Sequence, residues 1–409
     1  MCWNLSSPMA GRLALTLAGI PMPDHFFDNV RFYPTADGEP LADCFAVEDG
    51  RICSVGEPVR GAPSSDLGGR LVMPGLVDCH THLIWAGDRA DEFAMRAAGS
   101  SYADIARAGG GILSTVRAVR AASEDELLAL AMPRLAALAS EGVTTVEIKS
   151  GYGLSLDQEL KMLRVGRRLG QAQPVRIVTT FLGAHAIPPG RQRDEYLDEV
   201  VENMLPAVAE SGLADAVDVF VEDIAFSVAD MERLFEEARG TGLVLRAHTG
   251  QLSDPGATAA AASLGAVSCD HLEFADASAA ASMARHGTVA VLLPGAWYCL
   301  RETRRPPVDL FRQHGVPMAV ASDANPGSSP VVSLLTAMHM AGVFFGLTPE
   351  EILAGATRHA ARALGRPGGV LEAGMPADFA VWDLDRPGLL AWQLGALKPD
   401  QVYVGGKAL

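Results

Sequence analysis

The 409-residue sequence predicts an α/β fold: a (β/α)8 barrel of the TIM type, with a small β-sandwich domain built from both chain ends. Three observations predict it. Eight short apolar segments alternate with amphipathic ones over roughly 300 residues, the pattern of parallel βα units. The amphipathic segments carry helix start and stop residues. Short strands of alternating polarity occur before and after this run, and not within it.

Residues 1–21 read as a disordered N-terminal extension. The apolar run at 13–20 follows only Arg12 and precedes no clear small-residue cleavage site, so it argues against a signal peptide; Met22 is an alternative start. Residues 22–71 plus 370–409 form the small β domain. Within it, 45–55 reads as a hairpin turning at Asp49-Gly50, and 378–383 and 401–404 as short alternating strands. Residues 72–369 form the barrel. Its strands are expected at 71–79, 144–149, 176–182, 216–221, 242–247, 266–269, 288–293 and 317–321. Ser123 with Glu126, Ser155 with Gln158, and Thr348-Pro349 with Glu351 fit the capping box at helix starts. Gly142, Gly240, Gly287 and Gly365 follow helical patterns as stops.

Composition narrows the function. Hydrophobic residues make up 49% and charged residues 20%, values of a globular chain. A net charge of −16 repels a phosphate backbone, so no nucleic-acid partner is expected, and an anionic substrate has to be met by local cations. The longest apolar stretch, 331–347, carries His339 and small polar residues and reads as a buried helix, so no membrane span is expected. Cys2, Cys44, Cys53, Cys79, Cys269 and Cys299 form no C-x-x-C pair and read as buried thiols of a reducing, cytoplasmic compartment.

In such barrels chemistry sits at the C-terminal ends of the strands. Of the ten histidines, His80, His82, His185, His248 and His271 pass that filter, as does Asp323 after the last strand; His25, His286, His314, His339 and His359 do not. His80 and His82 are two apart on an extended segment, so both imidazoles face one side. With His248 and Asp323 they make a set of nitrogen and carboxylate donors suited to one zinc or iron ion. Arg89 offers a bidentate fork for a carboxylate, or else a surface ion pair with Asp88, Asp91 or Glu92. Tyr152, between glycines, reads as a binding loop or a turn burying its own ring. The segment 325–329 offers backbone N–H groups to an anion, or is simply a tight turn. Lys149 and Glu222 end two strands. Lys149 is expected in a structural ion pair, and Glu222 as a support of the site or a ligand to a second metal. Cys79 and Cys269 point away from the ligands, into packing.

The segment Val72-Met-Pro-Gly-Leu-Val-Asp-Cys-His-Thr-His82 resembles the first-strand signature of the amidohydrolase superfamily. The segments 109–116 (GGGILSTV), 147–154 (EIKSGYGL), 181–189 (FLGAHAIPP) and 322–330 (SDANPGSSP) are similar to those of its imidazolonepropionase family, over about residues 25 to 405. The resemblance implies a metal-dependent hydrolase opening the cyclic amide 4-imidazolone-5-propanoate in L-histidine degradation. It implies His80, His82, His248 and Asp323 as ligands of one zinc or iron ion. Arg89, Tyr152, His185, Gln251, Asn325, Gly327 and Ser328 match substrate- or product-holding positions, and His271 the histidine beside the metal. Asp323, His271 and Gln251 are then the catalytic groups. Gly250, where the family usually has an acidic residue, and Ala324, where it usually has an aromatic one, depart from the pattern. A deaminase of cyclic amidines would keep the ligands but not the carboxylate-binding Arg89. A catalytically silent barrel would have lost a ligand. A homodimer is the expected assembly.

Overall fold

The computed structural model describes residues 23–59, 61–99 and 110–409. The expectations for residues 1–21, Cys2 and Gly109 lie outside the described residues.

The chain begins in a seven-stranded sheet. Its members are β1 (His25–Phe32), β2 (Phe45–Glu48), β3 (Arg51–Val55) and β4 (Ser64–Pro74), joined from the far end of the chain by β13 (Phe379–Trp382), β14 (Gln401–Val404) and β15 (Lys407–Ala408), in the order β15-β14-β13-β4-β1-β2-β3. The β2–β3 hairpin turns at Asp49 and Gly50, whose φ values of 48° and 71° suit a tight primed turn. The sheet curls over its apolar face. Phe45 and Phe379 lie on strands three places apart in it, yet their rings are 5.1 Å apart and edge-on. Phe27, stacked on Phe45 at 4.9 Å, lies in the same cluster. Cys53 lies on the edge strand β3 with its side chain exposed, unlike the buried thiols expected, because β3 turns Ile52 inward instead. Cys79 and Cys269 are buried, as expected for packing residues.

The second sheet holds β5 (Leu76–Asp78), β6 (Val143–Lys149), β7 (Arg176–Ala184), β8 (Ala216–Val221), β9 (Val244–Thr249), β10 (Ser268–His271), β11 (Val289–Leu292) and β12 (Met318–Val320) in sequential order. Every neighbouring pair is parallel. The strand expected at 71–79 is divided: residues up to Pro74 pair with β13 in the small sheet, and only Leu76–Asp78 enter the barrel. Gly75 is the crossing point. A Cβ there would lie 2.2 Å from the Thr144 hydroxyl, so only glycine lets the chain pass so close to β6. The expected strands at 242–247 and 266–269 begin two residues later, which brings His248 and His271 into strand ends; Gly242, at φ 80°, belongs to the turn before β9.

Helices cover the barrel. Glu124–Ala139 and Pro349–Gly355 start with full capping boxes at Ser123/Glu126 and Thr348/Glu351. Leu156–Ala172 starts after Ser155 without a side-chain cap. Glu159 instead turns back and accepts from the N–H groups of Gly151, Gly153 and Leu154, so the capping expected of Gln158 falls to its neighbour. Gly287 closes its helix in the left-handed conformation, whereas the helix before Gly240 ends at Ala238 and the left-handed residue is Gly242. The segment 331–347 holds the helix Leu334–Met340 and a wider π turn, Ala341–Phe345. Among the described residues no helix is long and apolar enough to cross a membrane.

The barrel closes at its rim. Thr81 and Ala324 form a parallel bridge, the His82 N–H donates to Ala324 O at 3.0 Å, and the Asp323 N–H donates to His80 O at 3.0 Å. The first and last strand ends are thereby tied together at the mouth.

Candidate active site

That closure sets Asp323 among the histidines. Its Oδ1 lies 3.4 Å from His80 Nε2 and 3.7 Å from His82 Nε2. One ring nitrogen from each of His80, His82 and His248 lies within 4.8 Å of the others, and all three residues are buried. The His80 and His248 rings are 4.6 Å apart. His271, at the end of β10, has its ring 5.6 Å from that of His248. Backbone strain gathers here: His271 has φ 83° and Asp323 φ 52°. Non-glycine residues in that region cost of order 1–3 kcal/mol each and persist where surrounding structure enforces them.

The imidazoles are aimed from beneath. His80 Nδ1 is 2.7 Å from Asp270 Oδ2, and His248 Nδ1 is 3.0 Å from Asp218 Oδ1. These contacts turn both Nε2 atoms toward the centre, where among the described residues neither has a hydrogen-bond partner; His82 brings its Nε2 toward Asp323, and its buried Nδ1 is unpartnered as well. Burial holds His80, His82 and His271 well below the usual histidine pKa, so their rings are neutral and their lone pairs available. Burial pushes the Asp323 carboxyl well above its usual range; a cation in the middle of the cluster would reverse that. Three buried imidazoles with unpartnered nitrogens and one carboxylate fit a transition-metal ion.

A buried ionic layer lies under the histidines. Lys149 Nζ reaches Asp218 at 2.7 Å, Glu147 at 2.8 Å and Asp270 at 3.7 Å. Arg246 reaches Glu147 at 3.0 Å and Asp270 at 3.1 Å. All five side chains are fully buried. Burial opposes the Asp218 charge, yet His248, Lys149 and Arg246 together hold its carboxyl well below the usual range. Lys149 is thus the structural ion-pair residue expected, with three acidic partners. Glu147, Asp218, Arg246 and Asp270 escaped the sequence reading. A signal existed: Arg246 stands two residues before His248, and Asp78 two before His80. Strand alternation turns each pair to the same side, so a charge at that spacing is inside the barrel.

The remaining expected residues gather around the mouth. Tyr152 is buried, its ring 5.7 Å from that of His82 and 5.5 Å from that of His185. His185 stacks on His82 at 5.1 Å and 16°, and its Nδ1 is 3.0 Å from Gly151 O. Desolvation by the surrounding site pushes the His185 pKa down to about 3. Arg89 is largely buried and pairs with Glu92 at 2.9 Å, so it is no surface ion pair. It also donates to Gly111 O, at the start of the helix Ile112–Ala121. A Cβ on Gly327 would lie 2.8 Å from Arg89 Nη2, so the guanidinium rests against that glycine.

Two readings with open alternatives resolve. The turn at 325–329 keeps its amides for itself: Asn325 Oδ1 accepts from the N–H groups of Gly327 and Ser328 at 2.8 Å each, and Asn325 Nδ2 donates to Asp323 O at 2.7 Å. It is the tight turn that holds Asp323 rather than a nest of free donors. Glu222 is not part of the metal-fitting cluster. Its oxygens accept from Gln251 N at 2.8 Å, Leu252 N at 3.0 Å and the Ser253 hydroxyl at 2.7 Å, so it supports the loop carrying Gln251 rather than a second ion. Gly250, with φ 70°, sits where a Cβ would be 3.3 Å from Leu272 Cα. Ala324 is buried and brings no aromatic ring at its own position.

A family model described as the amidohydrolase family matches residues 71–409. The chain belongs to the amidohydrolase family. Members of this family are metal-dependent, in keeping with the histidine cluster. An imidazolonepropionase of Methylobacterium sp. (strain 4-46) is 56% identical over 386 residues, spanning 91% of this chain and 96% of that protein. An imidazolonepropionase of Ectopseudomonas mendocina is 56% identical over 372 residues, spanning 88% and 91%. Within the amidohydrolases the chain therefore falls in the imidazolonepropionase family. A triazine hydrolase from Arthobacter aurescens shares the fold at a TM-score of 0.71 and 19% identity, over 94% of each chain.

Proposed function

We propose that the protein hydrolyses 4-imidazolone-5-propanoate to N-formimidoyl-L-glutamate, with one zinc or iron ion held by His80, His82, His248 and Asp323. The reading rests above all on Arg89, whose guanidinium lies against Gly327 on the turn that follows Asp323. A cation for a carboxylate tail thus stands beside a metal-fitting cluster, a pairing that a carboxylate-bearing cyclic amide needs. The 56% identity to imidazolonepropionases supports the same substrate.

A metal ion supplies Lewis acidity and lowers the pKa of a water to ~7. Asp323 would take a proton from the attacking water as the water oxygen adds to the ring carbonyl carbon. When the carbon–nitrogen bond breaks, the carboxyl returns the proton to the departing ring nitrogen. His271, with its Nδ1 unpartnered, orients the carbonyl oxygen. Gln251 hydrogen-bonds the ring and, being an amide, takes no proton. Arg89 holds the propanoate. Tyr152 and His185 wall the ring, while Asn325, Gly327 and Ser328 shape the pocket beside Arg89. The neutral His185 presents a donor or acceptor without competing for the anion. The same proposal includes a homodimer working in the cytoplasm.

The test is ring opening, followed by loss of substrate ultraviolet absorbance, on protein before and after metal removal with ion content measured alongside. Turnover should vanish with the ion and return with zinc or iron. Metal-replete protein that leaves the substrate intact would move the reaction to another cyclic amide or amidine.

A further inference from the structure

A second cavity, of about 770 Å3, lies at the opposite end of the barrel from the histidines. Thr144 and Thr145 near the start of β6, Arg176 and Ile177 at the start of β7, and Asp215 just before β8 line one side. Arg51, Pro376, Asp378 and Val404 of the small-sheet region line the other, and the turn 366–369 (RPGG) borders it. Its volume is that of a small-molecule site, for which ~300–1,000 Å3 is usual.

The charges in it are unbalanced. Four guanidiniums, from Arg51, Arg167, Arg176 and Arg366, meet two carboxylates, from Asp215 and Asp378. The surplus is positive, in a chain whose net charge is −16. Two of the arginines share one carboxylate: Arg167 and Arg366 take opposite oxygens of Asp215, the first at 3.0 Å. Asp215 is committed further, accepting from the Thr179 N–H at 2.9 Å. Arg176 forks onto both oxygens of Asp378, which also accepts from Gly405 N at 2.7 Å. Among the described residues the Arg51 guanidinium has no carboxylate partner and donates only to Gly374 O, at 2.8 Å. Each guanidinium has five N–H donors in a planar fork. The two carboxylates therefore fix Arg167, Arg176 and Arg366 in place, the Gly374 carbonyl holds Arg51, and donors of all four are left for a further anion. Gly368 and Gly369, both at positive φ, keep side chains off the cavity edge.

We propose that this cavity binds a small oxyanion carrying two or more negative charges, a phosphate ester or a polycarboxylate, clamped between the barrel floor and the small sheet. The site is distinct from the mouth that holds Arg89 and does not depend on the reaction proposed there.

The test is isothermal titration of the metal-loaded full chain at low ionic strength. The probes are inorganic phosphate, fructose 1,6-bisphosphate and tricarballylate, which separate phosphate from carboxylate chemistry. Arg366→Gln and, separately, Arg51→Gln are titrated in parallel. Arg51→Gln breaks no ion pair, so its fold is safe even if Arg366→Gln is unstable. Saturable binding of at least one polyanion is expected, weakened about tenfold or more in each variant, since a hydrogen bond to a charged group contributes ~1.5–3 kcal/mol. Absence of saturation up to ~10 mM for all three probes, or binding as tight in both variants as in the parent, would overturn the proposal. The latter result would put the anion outside this cavity.

Discussion

Asp218→Asn tests whether the ionic layer tunes the metal site. The substitution keeps the shape and one acceptor for His248 Nδ1, at 3.0 Å, but removes the charge. A hydrogen bond to a charged group contributes ~1.5–3 kcal/mol and a neutral one ~0.5–1.5, so the contact loses ~1–1.5 kcal/mol, or about tenfold in an equilibrium constant. Outer-shell partners of metal-bound histidines typically contribute 10–100-fold in metal affinity, which brackets the same value. The fold should survive, because Lys149 keeps Glu147 at 2.8 Å. The assay is competition with a chelator, measuring ion retained against chelator concentration, with a urea titration of the metal-free protein to report folding. The variant should release its ion at about ten- to a hundredfold less chelator. Glu222→Gln, whose contacts are with the 251–253 loop, should not. A folded Asp218→Asn protein with the parent's metal affinity would refute the reasoning.

Lys149→Met should destabilise the metal-free protein by ~3–5 kcal/mol in urea, because Glu147, Asp218 and Asp270 would keep only Arg246 as a buried cation; an unchanged midpoint would show that the layer is stable without it. Arg89→Ala should raise KM for 4-imidazolone-5-propanoate about ten- to a hundredfold with a much smaller change in kcat, and unchanged KM would sink the carboxylate assignment. The hydrogen bond from Arg312 holds the Glu351 carboxyl below its usual value. The stability this pair adds is therefore complete above the ordinary glutamate pKa of ~4.3 and fades as pH falls through the lowered folded value. Melting curves of Arg312→Gln and the parent should differ modestly at pH 7, by under ~1 kcal/mol for so exposed a pair, and converge toward pH 3. A difference that grows toward low pH would contradict that assignment.

Much of this protein was legible without coordinates, because the informative patterns are local. Strand alternation sets His80 and His82 on one face, and the βα rhythm puts His185, His248, His271 and Asp323 at strand ends, where a barrel gathers them. The Asp49-Gly50 turn and the capping boxes at Ser123 and Thr348 are likewise settled within a few residues. Where the reading failed, the deciding contact was made across the fold. Residues 71–79 read as one strand, but Thr144 crowds Gly75 and the segment is divided between two sheets. One miss is local: Ser155 and Gln158 have the right spacing for a cap, but the next residue, Glu159, takes the amides of the loop that carries Tyr152. No local pattern pairs Asp270 with His80 or Asp218 with His248, since those partners are 190 and 30 residues apart. Nor does any local pattern bring Arg89 against Gly327. The sequence alone determined which residues carry lone pairs and which way each strand turns them. Only the closed barrel decided which buried charges face one another, because pairing across a sheet depends on register and closure rather than on neighbours in the chain.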